Sequence, residues 1–241
     1  MFHEGPVLLV ARERDSAFVR GMVTRHGTLA AHAAENARHV LAGRTRTNVC
    51  EGPGGLWVVR HAVRGGAFRK LFVDRYVRIG VPRPIRELRA SARARALGID
   101  TPEVLACAVY EDGLFYRADL ATRFVDGSTD LARLSFGPDP PAEPVRAEAW
   151  RSAGRLLAAT FAAGLIHADL NIKNIVVTTI NGAGRAHLLD LDRCHFTPKL
   201  APSARRAMLD RMERSIRKFE RRTGRQLGPA ERAAFADGLR G

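Results

Sequence analysis

The sequence predicts an α+β protein of two lobes: a small β-containing lobe over residues 1–124 and a mainly helical lobe over residues 125–241. Three observations point there. Short β-branched and aromatic runs, Leu56–Val63, Val104–Tyr110 and Phe115–Phe124, gather before residue 124 with turn residues between them. The stretch Gly137–Pro144 holds four prolines and reads as a connection. Beyond it, apolar residues return at helical rather than alternating intervals.

Element by element, Thr28–Ala42 reads as a helix, with Thr28 as cap, Leu29, Ala33 and Val40 on one face and Gly43 as stop. A glycine-rich passage leads to the strand Leu56–Val63, which contains Arg60. Pro82 and Pro84 precede a helix over Ile85–Leu97, with Leu88, Ala92 and Leu97 at helical intervals and Gly98 after its end. Val104–Tyr110 and Phe115–Phe124 form a hairpin around Glu111–Gly113. Val145–Ala163 is a helix stopped by Gly164. A polar cluster, His167–Asn174, then leads into a strand over Ile175–Thr179, a turn at Asn181–Gly184 and a strand over His187–Leu191. The chain beyond Asp192 reads mostly as one basic amphipathic helix, with Leu209, Met212, Ile216 and Phe219 along one side.

Composition excludes several classes. The three cysteines, Cys50, Cys107 and Cys194, form no CxxC pair, so neither a disulfide framework nor a zinc site is expected, and a reducing cytosol fits. Met1–Arg12 lacks the apolar run of a signal peptide. The longest apolar run, Leu156–Ile166, is 11 residues, against roughly 20 for a membrane helix. Lys plus Arg number 39 against 25 Asp plus Glu, a net charge of +14. A surface this basic favours anionic partners.

The chemistry concentrates in His167-Ala168-Asp169-Leu170-Asn171-Ile172-Lys173-Asn174, which has the spacing HxDxxxxN, followed by Leu189-Asp190-Leu191-Asp192. Phosphoryl transfer uses such parts. One carboxylate orients the attacking hydroxyl and takes its proton, while a second carboxylate and an amide hold Mg²⁺ against the phosphates of ATP. Asp169 is the candidate base, and Asn174 with Asp190 the candidate Mg²⁺ ligands. Hard Mg²⁺ keeps several waters, so two protein oxygens suffice. The plain structural reading has Asp169 and Asn174 capping a turn and Asp190 ending a strand.

GxxxxGK[ST] is absent, which argues against a P-loop fold. Gly43–Thr47 and Gly52–Gly55 are both candidates for a loop over ATP, and neither has the form GxGxxG. Arg60 stands where a strand cation would hold phosphate, and Glu87 on the next helix would orient it. The plain alternative is a solvent-facing arginine and an unrelated helix glutamate. Lys173 is read either as a phosphate contact or as a solvated loop lysine, and His167 as a backbone-bonding residue.

HADLNIKNIVV followed by LLDLD, with WVVRHAVRGG, DRY, RELRA and GLFYRADL before it, resembles the lipopolysaccharide-core kinases of the 3-deoxy-D-manno-octulosonic acid (Kdo) kinase type, over roughly residues 55–195. The resemblance implies a protein-kinase-like fold, with an N-lobe that positions nucleotide phosphates and a C-lobe that carries the catalytic loop and metal site. It also implies transfer of the ATP γ-phosphate to the 4-hydroxyl of Kdo on Kdo–lipid A. Asp169 would then be the base, Asn174 and Asp190 the Mg²⁺ ligands, and Arg60, Glu87 and Lys173 the groups around ATP. Two departures separate the chain from protein kinases: Asn171 replaces the lysine two residues after the base, and Asp192 the glycine of DFG.

Charge narrows the acceptor. Eleven Arg or Lys lie between Arg60 and Arg95 against Asp74 and Glu87, and nine lie between Arg205 and Arg225 against three acids. These clusters suit the carboxylates and phosphates of Kdo–lipid A and peripheral docking on the anionic cytoplasmic face of the inner membrane. Polycationic acceptors are disfavoured. The remaining alternatives are a core heptose kinase and an inactive basic nucleic-acid-binding module. No nucleic acid is expected, because stacking motifs and zinc knuckles are absent. The apolar stripe from Leu209 to Phe219 would either enter the membrane interface or, the reading favoured here, pack on the C-lobe.

Overall fold

The structure is a computed structural model that describes residues 1–41, 47–63, 74–180 and 182–241. The chain forms two compact units, Met1–Arg89 with Glu103–Phe124, and Ala90–Pro102 with Val125–Gly241.

The first unit opens with the strands Phe2–Glu4 (β1) and Val7–Ala11 (β2), then the helices Ser16–His26 (α1) and Leu29–Glu35 (α2). Ala37–Leu41 (β3), Thr47–Gly52 (β4), Gly55–His61 (β5) and Tyr76–Val77 (β6) follow, then the helix Arg83–Ala96 (α3), whose last turns belong to the second unit. Val104–Asp112 (β7) and Phe115–Arg123 (β8) close the unit. The sheet runs β1-β2-β7-β8-β5-β4-β3, with β6 added to β8, and its pairs are antiparallel. One face of the sheet, with Leu9, Trp57, Val59 and Tyr110, packs on Val19 and Met22 of α1 and Leu29 of α2. The other face, with Cys107, Val109 and Leu120, packs on Ile85 of α3.

Two features here depart from the sequence reading. The helix capped by Thr28, whose Oγ1 accepts from Ala31 N–H at 2.9 Å, ends at Glu35, and Ala37–Leu41 is a strand. That strand lies at the sheet edge with all five residues exposed, so burial leaves no pattern in its sequence. Val40, placed there on one face with Leu29 and Ala33, is 58% exposed. The N-terminal β1, β2 and α1, to which the sequence reading assigned no element, supply Leu9, Val19 and Met22 to the core.

The second unit contains Thr129–Asp130 (β9), Leu131–Phe136 (α4), Glu143–Ala162 (α5), Leu165–His167 (β10), Ile175–Ile180 (β11), Ala183–Leu188 (β12), Cys194–Phe196 (β13), Pro202–Thr223 (α6) and Pro229–Arg240 (α7). β9, β11 and β12 form one small sheet, and β10 pairs with β13. β12 begins four residues earlier than the sequence suggests, because Ile180 pairs with Ala183 and the ladder closes there. The predicted turn residue Asn181 lies outside the described residues.

The C-terminal segment is two helices instead of one. Gly224 adopts φ 70°, ending α6 in the left-handed conformation, and Pro229 starts α7. α7 crosses α5 closely at two glycines. A Cβ on Gly154 would lie 2.4 Å from Phe235 O, and one on Gly238 would lie 2.1 Å from Arg151 O. The apolar stripe of α6 faces the core. Met212 and Ile216 are buried, Leu209 and Phe219 pack against them, and Phe219 stacks on Phe136 at 5.8 Å. Met208, outside the predicted stripe, is fully buried with them. Among the described residues no helix is long and apolar enough to cross a membrane. Cys50 and Cys107 are buried free thiols, and burial pushes that of Cys50 up to about 11.

Candidate active site

The loop after β10 follows a simple alternation. Leu170 and Ile172 are 1% and 0% exposed and plug into the core of the second unit, whereas Asp169 before them and Lys173 after them face solvent. Apolar side chains therefore nail the loop down and its polar side chains are turned outward. The entry is equally constrained: Gly164, at φ 67°, sits so close to the β13 exit that a Cβ would lie 2.0 Å from Thr197 O.

Hydrogen bonds then fix the backbone of Asp169 from both sides. His167 Nδ1 accepts from Asp169 N–H at 3.2 Å, and the Asp169 carbonyl accepts from Asn171 Nδ2 at 2.8 Å and Asn174 Nδ2 at 2.9 Å. The Asp169 carboxylate itself makes no hydrogen bond or ion pair among the described residues. His167 is 1% exposed, and burial holds its pKa below the ordinary histidine value. Because Nδ1 accepts, Nε2 carries the proton and donates to Leu189 O at 3.0 Å. His167 is thus a neutral strut between the loop and the segment that holds Asp190.

Asn174 is oriented by the same logic. A carbonyl only accepts, so the amide nitrogen must face Asp169 O, and Oδ1 is left for another group. Leu189 N–H donates to Asn174 O at 2.8 Å, which brings Asp190 beside Asn174. Asp190 has φ 61° and ψ 63°, the one non-glycine residue in the left-handed region among those described. A carboxylate residue tolerates that region better than most, and such conformations gather at functional sites. A carboxylate and an amide oxygen are hard donors suited to Mg²⁺, so the residues fit that ion. No group of three or more His, Cys, Asp or Glu among the described residues forms a larger cage.

Asn171 uses both ends of its amide, since Oδ1 also accepts from Lys173 N–H at 3.0 Å. It shapes the loop. In the first unit, Arg60 on β5 donates through Nη2 to Glu87 Oε1 on α3, and Glu87 is 7% exposed. Gly52–Gly55 forms the β4–β5 turn: a Cβ on Gly52 would lie 2.6 Å from Trp57 Nε1, and Arg123 Nη2 donates to Pro53 O at 3.2 Å. Those glycines serve a packed turn. Of the other candidate loop, only Thr47 falls within the described residues.

Sequence reasoning missed one polar cluster in the first unit. Asp119 on β8 is fully buried and accepts from Ala30 N–H and Tyr110 OH, both at 2.8 Å, with His61 Nδ1 at 2.5 Å. Its signal was present: a lone carboxylate in the apolar run Ala118-Asp119-Leu120-Ala121 must be paired if that run is a central strand.

Comparisons with known proteins bear on this geometry. A family model described as "Lipopolysaccharide kinase (Kdo/WaaP) family" matches residues 30–237. A 3-deoxy-D-manno-octulosonic acid kinase from Stenotrophomonas maltophilia is 34% identical over 165 residues, which is 67% of this chain and 63% of that protein. One from Vibrio cholerae is 31% identical over 162 residues, 66% of this chain and 65% of that protein. The matched region therefore spans somewhat less than two thirds of these relatives' own length. Among solved structures, WaaP in complex with acyl carrier protein aligns with TM-score 0.60 at 17% identity, covering 96% of this chain and 88% of that one. That likeness carries the fold: a β-containing N-lobe followed along the chain by a mainly helical C-lobe, the kinase-like fold expected from the sequence.

Proposed function

The chain belongs to the lipopolysaccharide kinase (Kdo/WaaP) family, and from that premise we propose that it transfers the γ-phosphate of ATP to the 4-hydroxyl of Kdo on Kdo–lipid A. The observation that carries the reading is the Asp169 carboxylate, which has no partner among the described residues, on a backbone tied by three hydrogen bonds. Such a group is ready to accept a proton without any prior bond to break. As the sugar oxygen attacks the γ-phosphorus, its proton passes to Asp169, the new P–O ester bond forms, and the bond to the β-phosphate breaks, releasing ADP. Asn174 Oδ1 and the Asp190 carboxylate would hold Mg²⁺, which when bound offsets negative charge on the phosphates. Arg60, oriented by Glu87, is assigned to the nucleotide phosphates, and Lys173, exposed on the catalytic loop, to phosphate or substrate.

The acceptor is anionic and lipid-linked, in keeping with a net charge of +14. We place the enzyme as a peripheral protein at the cytoplasmic face of the inner membrane. The test is transfer of radiolabelled γ-phosphate from Mg·ATP to purified Kdo–lipid A, with heptosylated core and RNA as parallel acceptors. Label should appear on Kdo–lipid A and vanish in Asp169→Ala at unchanged circular dichroism. Label on heptosylated core alone would make the chain a heptose kinase with the same mechanism. Tight RNA binding with no label on any acceptor would overturn the kinase reading.

A further inference from the structure

The apolar stripe of α6 is covered by the core, so what the helix turns outward is charge. Arg211, Arg214, Lys218 and Arg221 follow one another at helical intervals and form one ridge along it. Arg211 is half-buried and the other three are exposed. None of the four makes an ion pair or a side-chain hydrogen bond among the described residues. The acids of α6 do not answer them. Glu213 pairs with Arg217 at 3.1 Å and with Arg232 at 3.2 Å, and buried Glu220 pairs with Arg232 at 3.1 Å. Asp210, four residues before Arg214, makes no ion pair among the described residues. Like charges three or four residues apart weaken a helix. Arg221 lies in the last turn, where a cation suits the helix dipole, but Arg214 and Lys218 stand at mid-helix without that compensation. An anionic surface outside the chain would stabilise such a ridge.

One end of the ridge lies by the catalytic loop. Met208 and Met212 share a core with Leu165 of β10, the strand that leads into Asp169. Burial is the main cause of the lowered His167 pKa, and the nearby Arg211 guanidinium adds to it. From Arg211 to Arg221 the ridge runs about 15 Å on one helix face, a shape that suits the plane of lipid phosphates. No aromatic side chain stands in it, because Phe219 is turned inward onto Phe136, so the bases of a nucleic acid would have nothing there to stack on. We infer that the outer ridge of α6 docks on an anionic phospholipid bilayer by charge alone, without insertion, with its Arg211 end nearest the catalytic loop. The choice of a lipid partner rests on the lipid-linked acceptor proposed above.

Co-sedimentation of the full chain with phosphatidylethanolamine–phosphatidylglycerol vesicles, free of Kdo–lipid A, tests the docking separately from catalysis. Arg214→Gln/Lys218→Gln/Arg221→Gln should lower the partition coefficient about a hundredfold, the scale of three lost basic contacts. Its melting temperature should be no lower than the parent's, because the substitutions relieve like-charge repulsion. Arg38→Gln/Arg75→Gln/Arg78→Gln removes the same charge from exposed arginines that already have carboxylate partners, and should bind nearly as the parent does. An equal loss in both variants would show that net charge and not the ridge governs binding, and would overturn the inference. A melting loss in the ridge variant would do the same by assigning the ridge to the fold. So would parent binding as tight on phosphatidylcholine vesicles, or tight binding of RNA in place of vesicles that the ridge variant abolishes. Asp169→Ala should bind vesicles as the parent does, so failure of the kinase reading would leave this result standing.

Discussion

Asp119 on β8 and Asp169 on the loop after β10 are the same side chain put to opposite uses. Around Asp119 the fold occupies the carboxylate: two donors at 2.8 Å and His61 at 2.5 Å surround a group with no exposure. Around Asp169 the fold occupies the backbone, through His167, Asn171 and Asn174, and leaves the carboxylate in solvent. A buried carboxylate needs its partners, since an uncompensated charge in the interior costs several kcal/mol. An exposed one needs none, so the loop can be held rigid while its charge stays free for a substrate. The difference separates a residue that builds a lobe from one proposed as the base.

The widest separation is expected from paired substitutions. Asp169→Asn should lower phosphate transfer about a thousandfold, the scale of a lost general base, with no change in melting temperature. Asp119→Ala should do the reverse, costing about 3–5 kcal/mol by leaving His61 and Tyr110 without their common partner. Differential scanning calorimetry beside single-turnover assays reads both, and a melting loss in Asp169→Asn would break the contrast. A smaller effect should follow Asn171→Ala, which removes two hydrogen bonds that shape the loop. About 1 kcal/mol of stability and a fall in turnover larger than any change in KM for ATP would show that backbone fixation serves Asp169.

The smallest effect is a pH slope. The hydrogen bond to Asp119 raises the His61 pKa above its ordinary value, with Asp74 Oδ2 at 3.3 Å on the other nitrogen adding to it, while burial opposes the rise. A raised pKa means that the stabilisation is complete below the unfolded value, about 6.5, and is lost as pH climbs through the folded one. Burial lowers the pKa of His32, His167 and His187; because these groups work in the opposite sense, the difference between the parent and His61→Gln isolates the effect. That difference in melting temperature should be largest near pH 5–6 and shrink above pH 7; a constant gap would show that His61 does not titrate with folding.

Much of the candidate site was legible because it is local. Asp169, Asn174 and Asp190 lie within one helix–loop–hairpin, so spacing alone brings them to one place, and the alternation of Leu170 and Ile172 with polar residues is written in the chain. The pairing of Arg60 with Glu87 was also anticipated from a strand followed by a helix. Asp119 was not, because its burial depends on β8 lying between β5 and β7 and on α2 starting above it, with Ala30 89 residues away. The strand Ala37–Leu41 escaped because an exposed edge leaves no burial pattern. The break in the C-terminal helix at Gly224 was local and was overridden by a run of basic residues with helical periodicity.

The sequence by itself determined the elements whose signals are short-range: the Thr28 cap, the glycine stops at Gly98 and Gly164, the β7–β8 hairpin and the HxDxxxxN loop with its returning carboxylate. It also set the net charge of +14. Only the tertiary structure decided which carboxylates are occupied and which are free, that the stripe of α6 is covered, and that Arg214 and Lys218 on its outer ridge are exposed. Those outcomes depend on which segments come to lie against one another, because desolvation and hydrogen-bond partners belong to a position in space and not to a residue type.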